Sequence, residues 1–357
     1  MKALPLLLGT LLIGSAAAQT RPQMEAAEAA RHEPRHYLGD WVPAEADVMH
    51  AAKADFMVDA SGAGTHRTVQ AAVDAVPAAQ ADSGRRWVIH IRPGSYREAL
   101  CVRDKAPLLL RGESAASVLI VEGRYNSLPK AAHAPAHPCF AALGATTHGT
   151  SGSTSVAVFS DDVQLAQLSI TNDATAHSQA VALTTAGDRV QLEGVQLWSH
   201  QDTFYARRRE RDRPARVFVR DSLVAGDVDF VFGNATLVIT HSELRSRVRG
   251  AGGPGRGGYV LAPSTLPTVA HGFLVTHGRF TAEPGLAPGS VALGRAWDQG
   301  VAPGAWRAGE SPNGQALVRE SELGAHIGPW APSTSRRPVD AANRFAEHLN
   351  RPLATGP

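Results

Sequence analysis

Charge of one sign is what this 357-residue chain conspicuously lacks. Its formal net charge is only +2, too small to announce a nucleic-acid partner. Aromatic residues are sparse at 6%, and there are only two cysteines. His32, His36, His133, His137 and His148 are scattered through loop-like segments without a metal-ligand spacing, and no phosphate-cradling glycine loop occurs, so neither a metal nor a cofactor is expected. A G-x-S-x-G elbow is also missing, which removes the commonest serine ester hydrolase.

Hydrophobic residues, in contrast, make up 43% of the chain, enough to bury a full core and to exclude disorder for most of its length. With 34 glycines and 23 prolines, the composition suits many short strands joined by many turns. The N-terminus "MKALPLLLGTLLIGSAAAQT" sets Lys2 before an apolar stretch from Leu6 to Ile13 and small residues at Ala16 to Ala18. That order predicts a secretory signal peptide over residues 1–18, cleaved after Ala18, and the apolar stretch is too short to span a bilayer. The mature protein is therefore expected to be secreted or periplasmic, with no membrane anchor. In an oxidising compartment Cys101 and Cys139 have one possible intramolecular pairing, and two separately buried thiols are the alternative.

Residues 19–53 carry little apolar periodicity and predict an N-terminal extension, partly helical, ahead of a single domain over 54–350. "HRTVQAAVDAVP" places Val69, Ala72, Val73 and Val76 on one helical face and stops at Pro77. "RRWVIHIRPGSYRE" alternates as a strand and turns at Pro93 and Gly94. Beyond it a weak repeat appears: "VQLAQLSI" from Val163, "VQLEGVQL" from Val190 and "VFVRDSLV" from Val217 recur at one constant interval, and "LVITHSEL" from Leu237 follows by a shorter step. Short alternating strands at this period predict an all-β solenoid, a right-handed parallel β-helix in which equivalent strands stack about 4.8 Å apart. A β-sandwich would need much more frequent turns, at roughly 8–12-residue spacing. The segment "SRRPVDAANRFAEHLN" is expected to form a C-terminal helix against the solenoid.

The same constant interval separates Asp202 in "HQDTFY" from Asp229 in "GDVDFVFG". Both should occupy one angular position on adjacent coils, with Gln201 beside Asp202 and Gln179 about one coil back. Two close carboxylates cannot both ionise freely, so their surroundings should leave one charged and one protonated. An Asp at a coil corner commonly just caps backbone N–H groups. Asp227 fits that description as the capping or solvent-facing member of its pair. Asp229 has apolar neighbours on both sides, and a strand through this stretch would point Asp229 outward while Val228 and Phe230 point elsewhere.

"GSYRE", "QAVAL", "HQDTFY", "GDVDFVFGNA" and "LGRAW" resemble the successive signature motifs of the pectinesterase family of exported bacterial type, in the family's order, over roughly residues 54–330. The resemblance implies hydrolysis of galacturonate methyl esters in pectin, as a step in pectin degradation and plant cell-wall modification. It assigns the nucleophile to Asp229, the general acid and base to Asp202, and oxyanion stabilisation to Gln201 and Gln179. It also implies that Arg295 orients the nucleophile and that Trp297 packs on a sugar ring, with Thr150 a substrate contact. Tyr205 and Phe230 are the expected cleft walls, whereas Phe232 is expected in the core. Ala296 and Phe204 depart from the family's usual proline and leucine. The Arg-rich 206–216 segment is either a solvated loop or a polyanion contact. The expected partner is methylated homogalacturonan, with the protein acting as a monomer. A β-helical lyase needs clustered acids for calcium, a glycoside hydrolase would not need the two glutamines, and a carbohydrate-binding β-helix would show no turnover.

Overall fold

The computed structural model describes residues 21–81, 84–130, 136–140, 145–175, 178–249 and 257–354. The segment expected to be a signal peptide lies outside them, as does His133. Each winding of the chain lays one short strand into each of three parallel sheets, which hold ten, eight and nine strands among the described residues. This is the expected all-β parallel β-helix.

Parallel sheets bury both faces, and here the inward face is a continuous set of aliphatic ladders. In the ten-stranded sheet Ile89, Leu110, Leu165, Leu192, Val219, Ile239, Val275 and Val318 are successive cross-strand partners. All are fully buried. The nine-stranded sheet stacks Ile120, Ile170, Leu197, Val224, Leu244, Phe280 and Leu323 in the same way. The constant interval of the sequence repeat is literally this register, because Gln164 pairs with Gln191 and Val190 with Val217. The shorter step holds too, with Val217 opposite Leu237. Between these two sheets the corner is turned by one left-handed residue per coil, as at Gln167 (φ 53°), Gly194 (φ 61°), Asp221 (φ 49°) and His241 (φ 48°).

Val69–Ala75 is the expected amphipathic helix, its start capped by Thr68 Oγ1 accepting from Ala71 N at 3.2 Å. The expected extension forms three short helices, Ala26–Ala29, Pro34–Leu38 and Ala46–Ala51, laid along the ten-stranded sheet. Gln191 fixes it by donating to and accepting from the Ala44 backbone. Arg111 holds it further along by donating to the carbonyls of Met49, His50 and Ala52.

The C-terminal helix is a correction. Arg344–His348 is a strand that pairs in parallel with Gln315–Arg319, and Arg351–Pro352 continues into the nine-stranded sheet. The segment's helix-favouring composition yields to the open hydrogen-bonding edge of the preceding coil, and alternation puts Phe345 and Glu347 inside.

Cys101 and Cys139 form a disulfide, with Cα atoms 5.4 Å apart and a sequence separation of 38. Closing a loop of this length stabilises a fold by about 4 kcal/mol in the chain-entropy account. Reducing the bridge should lower the melting temperature by ~5 °C in a scan run with and without reductant. An unchanged melting point would mean that the two thiols are not joined.

Candidate active site

The site is built on one corner of the coil, where the nine-stranded sheet turns into the eight-stranded one. Gln196–Trp198 leads into this corner and Phe204–Ala206 leaves it. One coil later Leu223–Gly226 and Val231–Gly233 do the same. Strands on both sides of the corner keep register, Gln196 opposite Leu223 and Phe204 opposite Val231. Asp202 and Asp229 therefore occupy equivalent places, and both have left-handed backbones, at φ 69° and φ 48°. Asp tolerates this conformation better than most residues. The Asp202 N–H donates to the Val228 carbonyl at 3.0 Å, tying one corner to the next.

Several expectations about this stretch are corrected. "GDVDFVFG" is not one strand: residues 227–229 bend, and Asp229 projects from that bend rather than by strand alternation. Phe230, expected in the cleft wall, is fully buried in the main core. Phe232, expected in the core, lies opposite Tyr205 in the ladder and stacks on it with ring centres 4.3 Å apart. Asp227 is not solvent-facing either. It is buried, with one carboxylate oxygen 3.1 Å from His200 Nδ1.

The two carboxylates have unlike surroundings. Arg295 grips Asp229 through both oxygens, Nε to Oδ1 at 2.9 Å and Nη2 to Oδ2 at 2.7 Å, the forked geometry that fits a guanidinium to a carboxylate. The guanidinium also lies over the Tyr259 ring, 3.7 Å from its centre. Asp202 is 4% exposed and has no ion-pair partner among the described residues. Burial, and then the charge of Asp229, pushes its carboxyl well above the usual carboxylate range, against a partial pull from Arg295.

Gln179 and Gln201 face each other across a parallel bridge. Gln179 Oε1 accepts from Asn126 Nδ2 and from Thr150 Oγ1, each at 2.6 Å. With its oxygen doubly occupied, the amide presents its NH₂ as the remaining polar group. Thr150, Gln179, Gln201, Asp202, Tyr205, Asp229, Arg295 and Trp297 all line one cavity of about 450 Å³. Of the residues expected at the site, Phe230 alone is not among them. Phe232, Ser151, Ala262, Gln299 and Thr334 complete the lining. Phe232 was legible in principle, since it lies one full repeat after Tyr205, directly opposite it in the next coil. Such a cavity brings together two carboxylates, a guanidinium, two side-chain amides and three aromatic rings.

Residues 55–299 match the Pectinesterase family. A pectinesterase of Ralstonia solanacearum is 33% identical over 369 residues, spanning 94% of this chain and 92% of its own. The structure of rice weevil pectin methyl esterase superposes with a TM-score of 0.80 at 30% identity, covering 92% of this chain and 96% of that one. Escherichia coli ybhc gives a TM-score of 0.80 at 26% identity, covering 97% and 99%.

Proposed function

The chain belongs to the pectinesterase family, and from that premise we propose how its residues divide the reaction. The protein is a carboxylic ester hydrolase that converts methyl-esterified galacturonate in pectin into pectate and methanol. The observation that carries the division of labour is a pair of unlike carboxylates in one cleft, Asp229 in the fork of Arg295 and Asp202 buried with no ion-pair partner among the described residues.

Asp229, held as an anion, attacks the ester carbonyl carbon and forms a tetrahedral oxyanion. The NH₂ groups of Gln179 and Gln201 donate to that oxygen, and Thr150 serves by orienting Gln179. Collapse breaks the bond to methoxide, which takes the proton of Asp202 and leaves as methanol. The substrate acyl group is then joined to Asp229 as an anhydride. Asp202, now a carboxylate, takes a proton from water as that water attacks, and pectate departs with Asp229 and protonated Asp202 restored. Trp297 and the stacked Tyr205–Phe232 pair offer flat apolar faces to the sugar ring.

Product analysis tests this reading. The purified protein should release methanol from highly methylated pectin while polymer length stays constant. Shortened chains would indicate a lyase or glycosidase, and the absence of methanol would contradict an esterase. Gln179→Ala should lower kcat by about 10²–10³-fold, the usual cost of one oxyanion donor, with little change in KM. A rise in KM alone would make Gln179 a binding group only.

The remaining parts of the proposal concern the whole molecule. A signal peptide over 1–18 is followed by an extension to residue 53 and one catalytic domain over 54–350, exported to the periplasm or beyond. No helix among the described residues is long and apolar enough to cross a membrane. The Cys101–Cys139 bridge is in keeping with an oxidising compartment. The active unit is a monomer whose partner is the polymer itself.

A further inference from the structure

A third carboxylate is buried at the corner that carries Asp202 and Asp229, and the reaction as divided above does not use it. Asp227 stands two residues before Asp229, and His200, on the preceding coil, stands two residues before Asp202. Stacking of the coils sets the two side chains together, with His200 Nδ1 3.1 Å from Asp227 Oδ2. The other carboxylate oxygen, Oδ1, is buried with no hydrogen-bond partner among the described residues. A buried carboxylate satisfied on one side only is costly, and a pair kept merely to hold two coils together would not need a charge.

The backbone of Asp227 is tied into the same corner. Its N–H donates to the His200 carbonyl at 3.1 Å, and its carbonyl accepts from Tyr259 N at 3.2 Å, the residue whose ring lies under Arg295. The next residue, Val228, accepts from the Asp202 N–H. Asp227 therefore has little freedom to move relative to Asp202. On the cleft side the charged groups around this corner are Asp202, Asp229 and Arg295. On the opposite side Arg247 donates from Nη1 to the Ser199 carbonyl and is neutralised by Glu283, 3.1 Å from its Nε, while Asp173 across the hollow is paired with Arg97. Among the described residues His200 alone forms an ion-pair contact with Asp227. A neutral imidazole donating from Nδ1 fixes a carboxylate without cancelling its charge, whereas a Lys or Arg would cancel it.

Resting on the division of roles proposed above, we propose that Asp227 is a positioning residue that holds the proton on Asp202 through its negative charge, with His200 as the latch that keeps that charge in the corner. Burial and the charge of Asp229 lead in pushing the Asp202 carboxyl up, Arg295 pulls it down, and Asp227 acts with the first two. The anion of Asp229 is tempered by its own guanidinium, so a second, unneutralised carboxylate helps keep the donor loaded while the nucleophile stays charged.

The test is the pH profile of kcat/KM for methanol release from methylated pectin, measured on the mature parent protein, on Asp227→Asn and Asp227→Ser, and on His200→Gln. Both Asp227 substitutions should move the alkaline limb toward acid by roughly half to one pH unit, a three- to tenfold loss at a fixed pH on that limb, with the plateau below it held within about twofold. Two replacements of unlike shape separate lost charge from lost packing. His200→Gln keeps a donor for Asp227 and keeps its charge, so its limb should stay with the parent's. The carboxylic-acid infrared band of Asp202 should fade at correspondingly lower pH in Asp227→Asn, a readout that needs no turnover. A limb left in place by both Asp227 substitutions, or one moved as far by His200→Gln, would overturn the proposal and leave the pair a structural tie between coils. Methanol release by the parent, and loss of the infrared band in Asp202→Asn, report separately on the esterase reading and on Asp202 as the donor, so each can fail without the other.

Discussion

Asp229→Asn should lower kcat roughly 10⁴-fold or more while leaving KM and the fold nearly unchanged, because it removes the charge of the oxygen proposed to attack with almost no change in shape. The substituted amide still offers one carbonyl oxygen to Arg295, so the corner after Leu223–Gly226 keeps its geometry. What it cannot do is form the acyl bond. Residual catalysis would come from the amide donors and from binding, as in other enzymes stripped of a nucleophile. A loss of only about tenfold would mean that water attacks the ester directly and that Asp229 merely steers it. Arg295 is left with an uncompensated charge in a partly buried position, so a small drop in melting temperature should accompany the lost activity.

Asp202→Asn should remove activity to a comparable degree yet make the protein more stable at neutral pH. The Asp202 carboxyl is held well above the usual carboxylate range by burial and by the charge of Asp229. Its folded-state pKa is thus raised above the unfolded value. Between the two values the folded chain binds the proton and the unfolded chain does not, so stability falls as pH rises through that window. At neutral pH the cost is present, and a neutral amide avoids it. A gain of about 1 kcal/mol would raise the melting temperature by roughly 1–2 °C in a protein of this size. In the proposed mechanism the same proton sets activity: kcat/KM should decline as pH rises past the folded-state value, since there Asp202 protonates the departing methoxide. An inactive variant with lower stability would mean that Asp202 is ionised and holds the structure together.

Such opposition between stability and activity is built into the corner. Asp202 and Asp229 both adopt left-handed backbones, and both keep polar groups where a core-forming sequence would place apolar ones. The coils on either side tolerate this because their aliphatic ladders are continuous.

Those ladders were the most legible part of the sequence. A constant interval between alternating strands dictates register, and register put Asp202 on Asp229 without any knowledge of the fold. What could not be read was anything decided by a single bend. Alternation carried through Asp227–Asp229 would turn both Phe230 and Phe232 away from the cleft, whereas after the bend Phe230 lies in the core and Phe232 lines the cavity. The terminal segment from Arg344 has a helix-like composition, but the unpaired edge of Gln315–Arg319 offers it a full set of backbone partners. Gln299 and Thr334 reach the cavity from loops with no periodic signal. The His200–Asp227 contact depends on two coils stacking, which no local pattern announces.

The claim that everything else leans on is the split between a charged Asp229 and a protonated Asp202. Infrared difference spectroscopy of the resting protein at neutral pH tests it most directly, by comparing the carboxylic-acid C=O stretch in the parent, Asp202→Asn and Asp229→Asn proteins. A protonated-carboxyl band that vanishes in Asp202→Asn is the predicted result. A band that survives that substitution and disappears in Asp229→Asn instead would reverse the two roles and contradict the account.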